Sequence, residues 1–567
     1  MKLIAAIALF VLSLSLAVVG VAQRTIWAPA PTKTLSVEFD SGYPYVVIPE
    51  ATLATYAGNP TIQVSGPKKA FIATGRESDI RAWLGRTSNS ELSVETKSKK
   101  TTLAVKSNFG NSDFANPRQS DLWRSEVTAV KSASLQVDKA ENAGVLVAAD
   151  GFAAAPGKIS IVWPVVHDLA LSNTLLWLSA LLLAAAAALN AWHLSDLRKR
   201  GGPRRRLPRA PQGPKTRRHK SQLILPGKGR RVARKTVASL VGLAVVGSLA
   251  GCSGTTVQPT PTPTPTGDVI VADPPVVLKN QLERILANVA DIAATADAGK
   301  DKQLLEPRFG GPALDLRGTH YVLMKKSDKI DALPAISAEP LTWSLPASTT
   351  QWPRTIMAVT DTPGSALPQM VVMQQESPRA KYIVYYFMNL VPGAEIPAVP
   401  VPEVGAIPVS SDSAYLRVPP RDIPVTYGDV IDKGSASLSA GVYNVKKDKY
   451  YADVSALQKT QVEKLTNATI KFKHTLGTAR VLSLATSSGG ALVAVYMKDT
   501  YTIKPKRAGS GVTVSGSEKL LLGSNGSVRG VVSTYGNMML FFVPALTDDD
   551  RAILLGVSQG LLSVRGL

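Results

Sequence analysis

Three apolar runs interrupt the chain. Residues 3–22 (LIAAIALFVLSLSLAVVGVA) and 169–192 (LALSNTLLWLSALLLAAAAALNAW) carry no charged residue. About 20 residues at ~1.5 Å rise cover the ~30 Å hydrocarbon core of a bilayer, so both runs predict membrane-spanning helices. The second ends in Trp192 followed by a basic stretch, an interfacial aromatic and stop-transfer arrangement. The first reads as a retained anchor, with a cleaved signal ending near Gly20-Val21-Ala22 as the alternative. The third run, 236–251 (TVASLVGLAVVGSLAG), is shorter and follows Arg230, Arg231, Arg234 and Lys235. Its length and basic lead-in match the apolar core of an export signal.

Between the runs the period changes. Within 24–168, short β-branched and aromatic segments (YPYVVIPEA, PTIQVSG, KKAFIATG, SELSVET, TTLAVKS, AGVLVAA, KISIVWP) are punctuated by Gly, Pro, Asn and Ser. This predicts an all-β-like domain of sandwich or barrel type. A short helix is expected at SDIRAWLG, with Ser78 as N-cap and Gly85 as its stop. Trp83, Trp123 and Trp163 are expected in the core, because Trp buries the largest apolar surface.

Beyond residue 275, Leu278, Leu282, Ile285, Leu286, Val289, Ile292, Ala293 and Ala296 form one helical stripe. Strands are predicted at THYVLMKK, RTIMAVTD, PQMVVMQQ and KYIVYYFM. After a Pro-rich passage come a helix at YYADVSALQKTQVEKL and a hairpin over Ser487-Ser488-Gly489-Gly490. Further strands are predicted at KLLLG, SVRGVVSTYG and MMLFFVPA, and a closing helix at DDDRAILLGVS. Asp548-Asp549-Asp550 there reads as helix N-terminal capping rather than a metal cluster. Helix then sheet, twice, suggests tandem cone-shaped units of the nuclear-transport-factor-2-like type.

The fold class predicted is thus an α+β multidomain membrane protein with two to three transmembrane segments. Its parts are an anchor or signal (1–23), an exterior β-rich domain (24–168), a transmembrane helix (169–192) and a basic cytoplasmic loop (193–235). There follow a third apolar segment (236–252), a Pro/Thr-rich linker (253–274), and exterior α+β domains over 275–430 and 431–567. Charge supports this topology. Of the net +22, residues 194–236 supply +15, from 16 Lys/Arg and the single acid Asp196, leaving +7 for the rest. A basic block beside spans is the positive-inside pattern and attracts anionic lipid. Its lack of aromatics beyond Trp192 and its many Gly and Pro argue against nucleic acid.

Leu249-Ala250-Gly251-Cys252 forms a lipobox. Small residues let a peptidase close on the backbone, and the thiol of Cys252, the sole cysteine, accepts a diacylglyceryl group. The TPTPTPT stretch that follows is an extended spacer of ~3.1 Å per residue. A lipobox at mid-chain has two readings: an internal signal cut by lipoprotein peptidase, or two neighbouring reading frames joined near Val232.

The stretches GRESDIRAWLG, DLW and DGFAAAPGKISIVWP, the last leading into a span, resemble an uncharacterised family of actinobacterial membrane proteins and lipoproteins. That resemblance implies a cell-envelope location and no assigned activity. Metalloprotease HExxH, phosphate-binding loop, dinucleotide fingerprint and nucleophile-elbow motifs are all missing. His167, His193, His219, His320 and His474 are scattered. These observations predict no catalytic residue, no cofactor and no metal ligand. The expected partners are the lipid bilayer, anionic lipid through 194–235, and envelope proteins or an apolar ligand. The reading is a non-enzymatic envelope scaffold or interaction module, with a carrier of lipid or another apolar molecule as the alternative.

Overall fold

The computed structural model describes residues 2–28, 30–97, 100–138, 143–165, 170–200, 273–361, 367–507 and 509–567. The lipobox Leu249, Ala250, Gly251 and Cys252, the third apolar run, the linker and nearly all of the basic loop lie outside the described residues, as do His167 and His219. The chain divides into two compact units, one holding the apolar helices and the other holding 29–167 with 271–567.

In the first unit, α1 (Lys2–Arg24) and α4 (Ala170–Arg200) are both long and apolar enough to cross a membrane. They pack against each other. Ser13 Oγ donates to the Ser179 carbonyl at 2.9 Å and Ser172 Oγ to the Gly20 carbonyl at 2.9 Å. A Cβ at Gly20 would press on Leu176 at 3.0 Å, so the glycine permits the close approach. Small residues and interhelical hydroxyl bonds hold helices together where no hydrophobic gradient exists.

The N-terminal lobe of the second unit carries β1 (Thr32–Glu38), β2 (Tyr45–Ile48), α2 (Glu50–Leu53), β3 (Thr61–Arg76), α3 (Glu77–Leu84), β4 (Asn89–Lys97), β5 (Lys100–Asn108), β6 (Ser125–Gln136), β7 (Ala143–Ala148) and β8 (Lys158–Pro164). The sheet runs β1-β8-β3-β7-β2-β4-β5, with β6 paired to β3. It curls until β1 and β5, at its two ends, touch. Period-two alternation sends Val46, Ile48, Ile72, Val145 and Val147 inward with Trp163. Tyr45, Val47, Phe71, Leu146 and Ala148 go outward, under α3, Trp83 and Trp123. The β2 and β7 runs are buried at every position because both faces are covered. PTIQVSG and KKAFIATG are one long strand with a register shift between Ser65 and Lys69. Helix α3 starts at Glu77, one residue before the predicted Ser78 cap, and has no side-chain cap. Strand β6 escaped prediction because it is largely exposed and lacks a continuous apolar face.

The C-terminal lobe holds α5 (Lys279–Gly299), α6 (Gly311–Lys326), β9 (Leu341–Pro346), β10 (Arg354–Thr360), β11 (Gln369–Gln375), β12 (Ile383–Leu390), α7 (Ile423–Lys433), α8 (Lys449–Lys464), β13 (Ala468–Leu476), β14 (Leu482–Ala485), β15 (Ala491–Pro505), β16 (Val512–Thr513), α9 (Gly516–Leu522), β17 (Gly526–Ser527), β18 (Val531–Val543) and β19 (Ile553–Gly566). One sheet runs β13-β15-β18-β19-β12-β11-β10-β9, with β14 on β15. Its halves meet where Asn389 and Leu390 pair with Val557 and Gly556. One core joins α5 and β9–β12 to Leu492, Met538, Leu540 and Leu555 of the other half. A second core packs α7 on β15 and β18. The boundary expected at 430/431 between separate domains falls inside α7.

Three local expectations are corrected. THYVLMKK is the end of helix α6, not a strand: the turn at Gly310-Gly311-Pro312 starts a helix whose Ala313, Leu316, Arg317 and Tyr321 face inward. KLLLG is helix α9. DDDRAILLGVS is no helix; Asp548-Asp549-Asp550 lie in a turn and Ile553 begins β19, which pairs along β18. There the long antiparallel ladder outweighs local helix propensity.

Candidate functional site

The two lobes share no sheet: every strand pair and isolated bridge among the described residues lies within one lobe or the other. They meet through side chains, and arginines of the C-terminal lobe reach aspartates of the N-terminal one.

The best satisfied contact is Arg308 on Asp121. Arg308 Nη1 and Nη2 donate to the two carboxylate oxygens at 2.5 and 2.9 Å, and both side chains are 4% exposed or less. Asp121 also accepts from the Tyr382 backbone N–H at 2.7 Å. The third guanidinium nitrogen of Arg308, Nε, donates to Asn288 Oδ1 at 2.6 Å, and Nη1 also donates to the Tyr382 carbonyl at 3.2 Å. The Asp121 carbonyl accepts from Gln281 of α5. Both partners are held before they meet. Asp121 precedes Trp123, whose indole N–H donates to the Pro117 carbonyl at 2.6 Å and pins the loop. Arg308 lies where the chain pairs with β12, its carbonyl accepting from Val384 N–H at 2.8 Å.

The second contact is Arg354 on Asp79. Arg354 begins β10, is fully buried, donates to Asp79 Oδ1 at 2.7 Å, and lies 3.6 Å above the Trp352 ring. Asp79 is shared with Arg76 at 3.5 Å. Two guanidiniums thus meet one carboxylate, and Arg354 Nη1 and Arg76 Nη1 have no hydrogen-bond partner among the described residues. Burial, outweighing Asp79, lowers the Arg76 pKa. Around these ions Trp83 lies edge-on to Tyr45 at 5.5 Å and tilted to Trp123 at 5.8 Å, and Trp352 packs against the same cluster.

At the rim, Arg379 in the β11–β12 turn donates to the Trp83 carbonyl at 2.8 Å and to Asp113 at 2.9 Å, 5.0 Å from the Trp83 ring. Asp113 is 71% exposed, so this pair contributes about 1 kcal/mol or less. The buried pairs are different in kind. Removing one member strands an uncompensated charge, at a cost of about 3–5 kcal/mol.

Two other constellations are present. A cavity of about 350 Å³ lies between α6 and the sheet, lined by Leu316, Arg317, His320, Phe387, Met538 and Gln559 among others. Arg317 there is engaged by Asp297, and His320 bonds the Asp331 carbonyl at 2.8 Å. A depression of about 540 Å³ on the N-terminal lobe runs along 154–157. His474 of β13 is buried between two carboxylates, Nδ1 at 2.6 Å from Asp499 and Nε2 at 3.2 Å from Asp432. Asp499 also accepts from Asn537 at 2.8 Å. Burial opposes the imidazolium, but Asp499 and Asp432 outweigh it and raise the His474 pKa. Burial also raises the Asp432 pKa, against the pull of His474. Gly428 of α7 lies against the imidazole and leaves no room for a side chain.

Of the residues singled out in the sequence, Trp83, Trp123 and Trp163 are buried, and the first two form the floor of the interface. GRESDIRAWLG and DLW hold Arg76, Asp79 and Asp121, whose role was missed. The available signal was an acid on the same side as a buried Trp: Asp79 and Trp83 are i,i+4 on one helix. No group of three or more metal-type ligands occurs among the described residues.

A domain of unknown function (DUF8094) matches residues 273–566, the whole C-terminal lobe. No curated protein and no solved structure matches the chain.

Replacing Asp121 by Ala is expected to destabilise the chain by about 3–5 kcal/mol, against about 1 kcal/mol or less for Asp113→Ala. Denaturant unfolding followed by Trp fluorescence measures both, and equal costs would contradict the ranking. The His474 site predicts a pH effect. A raised folded pKa means stability that is full below the ordinary value of ~6.5 and is lost as pH rises through the folded value. Asp432, whose pKa burial raises from the ordinary 3.8, loses its own contribution from that lower pH upward, so the decline that begins near pH ~6.5 belongs to His474. Melting temperature should therefore fall above pH ~6.5 in the native chain, and His474→Gln should flatten that decline.

Proposed function

Since the chain belongs to the family of the domain of unknown function DUF8094, we propose its function from its own geometry: it is a membrane-anchored cell-envelope scaffold in which the β-rich lobe grips the DUF8094 domain. The observation that carries this is the buried Arg308–Asp121 pair, which gives the two lobes one fixed relation. Neither side chain takes part in a nucleophile or acid–base arrangement; both are consumed in binding.

The anchor is α1 with α4. Their serine and glycine contacts support a retained first helix, since a cleaved signal would remove these contacts from α4. The basic block at 194–235 supports a cytoplasmic position for that segment. Residues 24–168 and 253–567 are then extracytoplasmic, and lipidation at Cys252 would add a second anchor. Protease added to intact spheroplasts should digest both lobes and spare two separate fragments, one containing α1 and one containing α4 with the basic segment behind it. Protection of either lobe until lysis would sink this topology.

A second reading, a carrier of an apolar ligand, is favoured by the cavity under α6. Its volume of about 350 Å³ falls at the small end of the ~300–1,000 Å³ of ligand sites. It suits a compact apolar molecule rather than a diacyl lipid. In this reading the helix-covered sheet plays the role of the expected cone. Met538→Trp would fill the cavity. If carriage is the function, native mass spectrometry of the detergent-purified chain should show a bound small molecule that this variant loses. A native chain of bare polypeptide mass would remove the reading.

A further inference from the structure

We propose that the lobe interface is a complete docking surface, sufficient to hold residues 30–165 on the DUF8094 domain when the chain connecting them is cut. The proposal rests on the scaffold reading and goes beyond it, because a grip within one chain need not survive without the tether.

Four observations carry it. Each lobe pairs its strands within itself and builds its own core, and among the described residues only Trp352 of the C-terminal lobe packs into a cluster of the other. Lobes that fold as halves of one domain share strands or a common core; these meet as finished surfaces. The composition is that of a protein–protein contact, with Arg and Trp at the centre and an exposed charge pair at the edge. The ion pairs that cross the interface all run one way: Arg308, Arg354 and Arg379 come from one lobe, Asp121, Asp79 and Asp113 from the other. Finally, the family match begins at residue 273 and leaves the β-rich lobe outside it, so the DUF8094 domain is a unit that meets the β-rich lobe as a distinct partner.

The occupant is therefore the β-rich lobe, recognised through two buried carboxylates, Asp79 and Asp121, beside the Trp83–Trp123 cluster. The lobes are joined only through α4 and residues 201–272. That stretch contains Leu249-Ala250-Gly251-Cys252, so processing there would leave two chains with this interface between them.

The test uses the full-length chain in mild detergent, with a site-specific protease sequence inserted within 255–267 and an affinity tag at the N-terminus. After cleavage and washing, the C-terminal fragment should stay with the tagged one. In Arg308→Ala/Arg354→Ala its retention should fall at least tenfold, while Arg379→Ala at the rim should change it less than threefold. The exchanged pair Asp121→Arg/Arg308→Asp, read beside Asp121→Arg alone, separates loss of docking from loss of folding: recovery of retention in the exchange supports the proposal. Release of the C-terminal fragment from the unmutated cleaved chain overturns it. The spheroplast digestion is unaffected by that result, so the docking and the scaffold topology fail separately.

Discussion

Burying an ion is tolerable only when its partner is already in place, and this constraint organises the molecule. Asp121 and Arg308 are both nearly inaccessible. Either alone in that position would be strongly unfavourable. Each is therefore surrounded by groups that complete its hydrogen bonds: Tyr382 N–H for the carboxylate, Asn288 for the guanidinium. The loop carrying Asp121 is fixed by a buried indole, and the segment carrying Arg308 is tied to β12. The lobes can approach in one register only, because a shift of a few ångströms would leave both charges unpaired and dry.

The Arg354 contact shows the same constraint less fully met. Asp79 serves two arginines, and one nitrogen of each has no partner. The aromatic face of Trp352 below Arg354 supplies some of what a second carboxylate would. The interface thus has a well-satisfied centre at Asp121 and a strained neighbour at Asp79. Unsatisfied buried donors of this kind raise the penalty for wrong partners as well as the cost of the right one.

Much of the fold was legible in the sequence. Amphipathic α5, the strands β10 to β12, the Gly489 hairpin and most strands of the N-terminal lobe follow from period and turn residues. The failures have physical causes. The segment at 319–326 reads as a strand by composition, and its helix depends on the Gly-Gly-Pro turn eight residues earlier. The end of the chain reads as a helix because acids precede apolar residues, and a thirteen-residue neighbour, β18, draws it into the sheet. The interface between the lobes was half legible. The tryptophans announced burial, but nothing local tells that Asp79 and Asp121 are buried too, since their partners lie 275 and 187 positions away. Unbroken burial along β2 and β7 is the indirect trace: strands covered on both faces need a second layer, which α3, Trp83 and Trp123 supply and on which Trp352 of the C-terminal lobe packs.

That separation also sets an order of events during synthesis. Asp121 leaves the ribosome 187 residues before Arg308, a delay of about 10–40 s at ~5–20 residues per second. Throughout that interval the Trp83–Trp123 cluster lacks the cover of Trp352, Asp121 lacks its guanidinium, and Asp79 has only Arg76. The β-rich lobe must therefore carry an uncovered aromatic patch and a waiting carboxylate until the second lobe is made.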